Sequence, residues 1–310
     1  MVLNYPKVSI IILNWNGLKD TIECLESLKK ITYPNYEVIV VDNGSDGNDA
    51  DILEERYGDY IKVIKNKENL GFAEGNNVGI RKVLEEGKSS YVLSLNNDTI
   101  VEPNFLNELV KTAESDSKIG IVGPRTVFYE QPNKTVIGAA FINLWLGKTY
   151  SKDKTNPSEC DFVTGCAILI KKSALEKLNY FFDNAYFTYY EDTDLCFRIK
   201  KRGFKIIYYP KIKLEHKVGA TTAIGERNPS AIYYYIRNKF LFMHKNANLF
   251  QKAFFFSSYL IFGVPRFILR LFFQHKRIKN RELRLYLKAI KDGLAKRGGK
   301  LLPDEVESND

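Results

Sequence analysis

Cysteine is scarce in this chain of 310 residues: only Cys24, Cys160, Cys166 and Cys196 occur, with no C-x-x-C pair among them. That scarcity argues against a disulfide framework and a thiolate metal site, and favours reduced thiols. No apolar stretch separates Met1 from the first strand-like segment, which argues against a secretory signal peptide and makes a cytoplasmic location the expectation. The G-x-G-x-x-G fingerprint of dehydrogenase-type dinucleotide sites is missing, as are RNA-recognition and zinc motifs. Disorder-type composition is missing too. With 45% hydrophobic and 27% charged residues, the chain suits one sizeable α/β domain with an appendage.

What is present in excess is positive charge, and it is unevenly placed. The formal net charge is +9, yet residues 266–300 alone carry 12 Lys/Arg against Glu282 and Asp292, a net +10. The remainder is close to neutral, and the last ten residues are acidic. A basic segment meets anionic lipid, nucleic acid or only solvent, and the solvated face is the default reading. We expect a main domain over 1–228, divided into an N-terminal half (1–125) and a C-terminal half (126–228). A helical, aromatic and basic extension over 229–300 and a loose acidic tail over 301–310 should follow.

Hydrophobic patterning sets the fold class. Val8–Leu13 is a continuous β-branched run, the pattern of a strand buried on both faces, and Leu18, Ile22, Leu25 and Leu28 then mark a helix. Tyr36–Val41, Ile61–Asn66 and Tyr91–Leu95 read as further strands, with helices near 49–57 and 76–86. Such alternation implies an α/β, Rossmann-like, mainly parallel sheet flanked by helices. Farther on, Phe162–Ile170 reads as a strand, Asp194–Arg202 as a short helix, and Lys205–Tyr209 as a strand stopped by Pro210.

Ligands of such sheets sit beyond the carboxyl ends of the strands, and here those ends are polar: Asn14-Trp15-Asn16-Gly17, Asp42-Asn43-Gly44-Ser45 and Asn96-Asn97-Asp98-Thr99. Asp98 suits a hard divalent cation bridging phosphate oxygens, although an Asx turn is an equally ordinary use of these residues. Asp42 and Asn43 can bond a base edge or a ribose, or simply make a turn, and Trp15 can stack on a base or pack. Asn69–Gly79 has glycines at 71, 75 and 79 that would let backbone N–H groups approach a phosphate. Glu191, Asp192 and Asp194 precede an apolar-periodic helix; carboxylates cap helices, but Asp192 or Glu191 also suits a general base. His216 is a structural histidine or a further metal ligand.

Taken together, VSIIILNWNG (8–17), VVDNGSDG (40–47), NLGFAEGNNVGI (69–80), LSLNNDT (93–99), TGCAILIKK (164–172), YYEDTDLCFRIKKRGFKIIYYP (189–210), EH (215–216) and YYYIRNKFLF (233–242) resemble glycosyltransferase family 2. The resemblance runs from about Lys7 to Asn246 and is to the rhamnosyltransferase-like and galactofuranosyltransferase-like branch. It implies a GT-A fold and an inverting transfer of sugar from a UDP- or dTDP-sugar to a hydroxyl of a glycan or lipid-linked acceptor; a polyprenyl-linked acceptor would explain the apolar and basic C-terminal segment. By that resemblance Trp15, Asp42, Asn43, Asn76 and Asn97 would serve the nucleotide-sugar, and Asp98 and His216 would hold Mg²⁺ or Mn²⁺. Asp192 would be the catalytic base, with Glu191 beside it. One departure stands out: the D-x-D metal position reads Asn96-Asn97-Asp98, without its first acid.

Leu249–Phe273 is rich in Phe, Leu and Ile, but Lys252, Arg266 and Arg270 interrupt it and Pro265 is expected to kink it. On that reading it falls short of a span and lies instead in the headgroup region of an anionic leaflet on the cytosolic face. Packing on the catalytic domain, or on a second copy in a homo-oligomer, is the alternative. Two other functions compete: a nucleotide-sugar-binding scaffold without catalysis and, ranked last, a nucleic-acid-binding protein using the basic segment.

Overall fold

The computed structural model describes residues 5–217, 229–273 and 280–302. The boundary expected near 228 and the acidic tail beyond 302 lie outside the described residues. Two compact units emerge: one of residues 1–141, 151–183 and 191–218, the other of 142–150, 184–190 and 219–310.

The first unit is a mixed α/β layer structure. Its strands are β1 (Val8–Asn14), β2 (Tyr36–Asp42), β3 (Ile61–Lys65), β4 (Tyr91–Asn96), β5 (Thr99–Val101) and β6 (Ile119–Phe128). Then come β7 (Gln131–Ile137), the two-stranded hairpin β8 (Ala139–Asn143) and β9 (Lys148–Lys152), whose residues 142–150 belong to the second unit, β10 (Ser158–Glu159), β11 (Ala167–Lys171) and β12 (Lys205–His216). Helices α1 (Leu18–Leu28), α2 (Asp49–Tyr57), α3 (Gly71–Glu86), α4 (Phe105–Glu114), α5 (Lys172–Leu175) and α6 (Glu191–Lys201) connect them. The main sheet runs β10-β12-β6-β11-β4-β1-β2-β3, with β5 on β12 and β7 on β6. β1, β2, β3 and β4 are parallel, as the alternating pattern predicts, whereas β11 inserts antiparallel between β4 and β6. The core is the aliphatic inner face of these strands closed by Leu25 and Leu28 of α1 and Phe105, Leu106 and Leu109 of α4.

Four local expectations change. The strand expected over 162–170 is confined to β11, because the chain turns at Thr164–Gly165 first, leaving Phe162 with an isolated bridge to Ala140. Pro210 does not stop its strand: β12 passes through it with a register shift between Tyr209 and Lys213, where an irregularity tolerates the missing N–H. β6 was not foreseen, its apolar run being punctuated by Gly120, Gly123 and Pro124. Finally, Gly75 and Gly79 lie inside α3 against the sheet. A Cβ there would come within 2.6 Å of Leu13 and 2.7 Å of Ile11, so these glycines serve close helix–strand packing.

The second unit contains α7 (Pro229–Asn246), α8 (Leu249–Ser258), a π-helical turn (Tyr259–Gly263), α9 (Val264–Phe273) and α10 (Asn280–Leu294). α8, the π turn and α9 form one continuous helical run. The wider turn sits just before Pro265, where the missing N–H would otherwise break an α-helical ladder. The segment read from sequence as interrupted and short of a span is helical over Leu249–Leu269, 21 residues that by length and composition alone are long and apolar enough to cross a membrane.

Within this unit Arg237 and Asn238 of α7 are fully buried and spend their donors on a loop. Arg237 donates to the carbonyls of Gly299 (2.6 Å), Ala185 (3.1 Å) and Tyr186 (2.9 Å). Asn238 Nδ2 reaches those of Tyr186 (2.9 Å), Thr188 (2.6 Å) and Tyr189 (2.8 Å). The loop needs such anchoring: Phe187, Tyr189 and Tyr190 hold left-handed φ values of 63°, 65° and 72°, which cost energy in any residue with a Cβ.

Candidate active site

Strand register gathers the polar strand ends. Asn14 pairs with Asp42, and Leu13 with Asn96, so the ends of β1, β2 and β4 lie side by side. Asn14 is the hub. Its Nδ2 donates to Asp42 Oδ2 (2.8 Å), Asp49 Oδ2 (3.1 Å) and Ser45 Oγ (3.2 Å), while its Oδ1 accepts from Thr21 Oγ1 (2.7 Å). Thr21 in turn accepts from Asn97 Nδ2 (3.0 Å). Asp42 also accepts from Ser45 N–H (3.1 Å) and Ser45 Oγ (2.7 Å). One network therefore ties Asp42 to Asn97 through β1 and α1.

Asn43, likewise buried, donates to Asn69 Oδ1 and the Gly71 carbonyl and accepts from Asn66 Nδ2 and Leu70 N–H, clipping the start of α3. Asn76 lies inside α3, donating to the Phe72 carbonyl (2.9 Å) and accepting from Ser94 Oγ (3.0 Å). Trp15 is 44% exposed on the loop after β1, where an indole face is available for stacking.

The second cluster forms around β4, β5, β11 and β12. β5 pairs antiparallel with the end of β12, setting His216 opposite Thr99, and Lys217 N–H donates to the Asp98 carbonyl (3.0 Å). His216 Nε2 thus lies 3.1 Å from Asp98 Oδ1, with both side chains buried. The separation is that of an ion pair, but the ring N–H is not aligned for a hydrogen bond, so Nε2 is a buried nitrogen without one. Among the described residues no cluster of three or more His, Cys, Asp or Glu is placed to hold a metal ion. Asp98 and His216 offer one oxygen and one nitrogen donor, a pair that would suit a divalent cation needing few protein ligands.

Asp192 lies in the first turn of α6, and its carboxylate accepts from Gly165 N–H (2.8 Å), Thr193 N–H (2.5 Å) and Thr193 Oγ1 (3.1 Å). Gly165 precedes Cys166, whose carbonyl accepts from Asn96 N–H (2.9 Å). The backbone that holds Asp192 is therefore bonded to the strand end carrying Asp98. Burial pushes the Cys166 thiol up to about 11, and the charges of Asp98 and Asp192 add smaller upward contributions.

Burial raises the Asp192 carboxyl above its usual range against the pull of its N–H donors. Burial, and then the Asp192 charge, raise Glu191 much further, and Glu191 Oε2 has no hydrogen-bond partner among the described residues. Two adjacent buried carboxyls with elevated pKa values make proton-transfer chemistry natural here. Asp194, third in the acidic run, is bound instead to Arg198 Nε at 2.6 Å, one helical turn on.

Sequence reasoning passed over Asn14, Thr21, Gly165 and Lys217 as site residues. Lys217 bridges Asp20 and Glu23 of α1 at 2.7 Å each, beside His216 in the chain. The only sequence signal for these was proximity to a strand end or to the Glu-His pair.

The family model for glycosyl transferase family 2 matches residues 9–178. The low-salt glycan biosynthesis hexosyltransferase Agl10 of Haloferax volcanii is 26% identical over 238 residues, 76% of this chain and 74% of that protein. The dTDP-rhamnosyl transferase RfbF of Shigella flexneri is 26% identical over 220 residues, 68% of this chain and 72% of that one. Among solved structures, the mannosyltransferase PcManGT from Pyrobaculum calidifontis, in complex with GDP-Man and Mn²⁺, shares the fold with a TM-score of 0.59 at 17% identity. That likeness covers 97% of this chain and 78% of that one. With the family model covering more than half of its length, the chain belongs to glycosyl transferase family 2 and is a glycosyltransferase that draws on a nucleotide-sugar.

Proposed function

We propose that this enzyme transfers a hexose-type sugar, with inversion, from a UDP- or dTDP-sugar to a hydroxyl of a glycan or polyprenyl-linked acceptor at the cytosolic face of a membrane. The observation that carries this reading is that the backbone holding Asp192 through Gly165 is hydrogen-bonded at Cys166 to the strand end that carries Asp98, which His216 faces at 3.1 Å. Asp98 and His216 would hold Mg²⁺ or Mn²⁺, which when bound neutralises charge on the leaving diphosphate. Trp15, Asp42, Asn43 and Asn97 form the donor rim, with Asn76 bracing α3 behind it.

Asp192 takes the proton of the acceptor hydroxyl as its oxygen bonds to the anomeric carbon. The old carbon–oxygen bond breaks on the opposite face, its electron pair leaving with the diphosphate, and configuration inverts. Glu191, whose carboxyl burial raises well above the usual range, stands next to that base. The Mn²⁺ and GDP-Man of the Pyrobaculum enzyme and the dTDP-rhamnose specificity in the name of the Shigella relative support a cation and a nucleotide-sugar.

Calorimetric titration of purified protein with pyrimidine diphosphate-sugars, with and without Mg²⁺ or Mn²⁺, tests the reading. Binding should need the cation, and Asp98→Ala should weaken it about tenfold or more. Equal binding in a chelator would remove the metal role.

A further inference from the structure

We propose that the tip of the β8–β9 hairpin and the helical run 249–269 form a single bilayer-facing surface, in which Trp145 anchors the protein among anionic phospholipids. The inference rests on residues 249–273 being surface-seeking and is independent of how the catalytic groups are assigned.

The helical run is laid open along its length. Of its most apolar 18-residue window only 6% is buried, and Phe250 and Phe262 are 75% and 71% exposed. At the α-helical rise, 21 residues make a ridge of about 31 Å. The hairpin tip sits beside this ridge by construction. The Trp145 ring meets Phe254 edge-on with centroids 5.7 Å apart, and Gly147 lets the chain close over Phe255, where a Cβ would come within 2.5 Å of the ring. Asn143 Oδ1 accepts from the N–H groups of Trp145 (2.9 Å) and Leu146 (3.2 Å), fixing the turn that displays them. Trp145 and Leu146 are nevertheless 48% and 40% exposed, an expensive way to arrange large apolar groups in water.

Charge decides the occupant. No Asp or Glu occurs from 142 to 150 or from 227 to 281, and Lys148, Lys252 and Arg266 border the apolar residues. A second copy would set one acid-free, basic face against another, which electrostatics penalises, whereas an anionic leaflet complements both the apolar ridge and its basic border. Tryptophan with nearby lysine is the composition of a membrane–water boundary.

The run lies along the surface instead of crossing it, because it is tied to α10, whose Tyr286 Oη donates to Tyr259 Oη (3.2 Å). Phe267 stacks on Tyr286 of α10 at 3.6 Å, and α10 carries the Lys288–Asp292 pair, which could not enter hydrocarbon with it.

Trp15→Phe leaves Trp145 as the sole tryptophan. Its emission should shift to the blue, and be quenched by brominated acyl chains, in vesicles of phosphatidylcholine with phosphatidylglycerol, and much less in phosphatidylcholine alone at high salt. With Trp15 retained, Trp145→Ala should weaken co-sedimentation with the anionic vesicles about tenfold or more, the loss expected for withdrawing one large aromatic side chain from an apolar phase. Nucleotide-sugar binding by Trp145→Ala should be unchanged, which separates failure here from failure of the catalytic reading. Co-sedimentation without quenching would remove the hairpin from the surface. Absence of co-sedimentation together with a concentration-dependent dimer in light scattering would assign the face to a second copy.

Discussion

The proposed donor rim and the proposed base corner are built on opposite principles. On the rim, Asn14, Asp42 and Ser45 bond one another, and Asn43 bonds Asn69, through short neutral or charge-assisted contacts. At the corner, Glu191 and Asp192 are adjacent carboxyls taken out of water, and His216 Nε2 faces Asp98 without an aligned hydrogen bond. A satisfied network fixes shape, whereas an electrostatically costly one stays ready to accept a proton or a cation. The lesson is that stability and reactivity are apportioned between neighbouring loops.

This contrast breaks most visibly if Asp192 is dispensable. Asp192→Asn should lower kcat by roughly 10²- to 10⁴-fold, with donor KM little changed, in steady-state kinetics. Retention of near wild-type kcat would show the base to lie elsewhere. Next in size, Asn14→Ala should cost about 2–3 kcal/mol in urea unfolding and loosen donor binding, because it strips partners from Asp42, Asp49 and Thr21 together. A loss below 0.5 kcal/mol, about that of an ordinary surface change, would mean the rim network is not structural.

A smaller, sharper test is the acid limb of kcat/KM. Asp192 must be ionised to act and its carboxyl is raised by burial, so activity should fall, as pH drops, at a value above the ordinary aspartate pKa of about 3.9. A limb at or below that value would contradict the buried-base assignment.

The smallest effect concerns Glu191. Its carboxyl is raised in the folded state, so folding takes up a proton, and stability declines as pH rises from the unfolded glutamate pKa to the folded one. Glu191→Gln cannot ionise and escapes that decline. It should raise the thermal midpoint by about 2–4 °C near pH 8 and by much less near pH 4 in scanning calorimetry. An equal shift at both would trace the gain to packing.

Much of the framework was legible because its cause is local. β-branched runs at 8–13 and 36–41 report burial on both faces, and polar residues directly after them report the ligand end of the sheet. What stayed hidden depends on partners distant in sequence. Gly75 and Gly79 look like loop glycines until Leu13 and Ile11 are placed against them. His216 meets Asp98 only because β5 and β12 pair antiparallel, and β12 reaches that far only because an irregularity absorbs Pro210. Asn14 and Thr21 are types used routinely for turns, so their linking of Asp42 to Asn97 has no one-dimensional signature.

All four cysteines are buried and unbridged, and all four belong to the sheet unit. With the thiols of Cys24 and Cys160 pushed up to about 12 by burial, an alkylating reagent meets almost no thiolate while that unit stays shut. Counting alkylated sulfurs by mass spectrometry therefore times the opening of the sheet unit alone. The helical unit, lacking sulfhydryls, could melt without moving that clock.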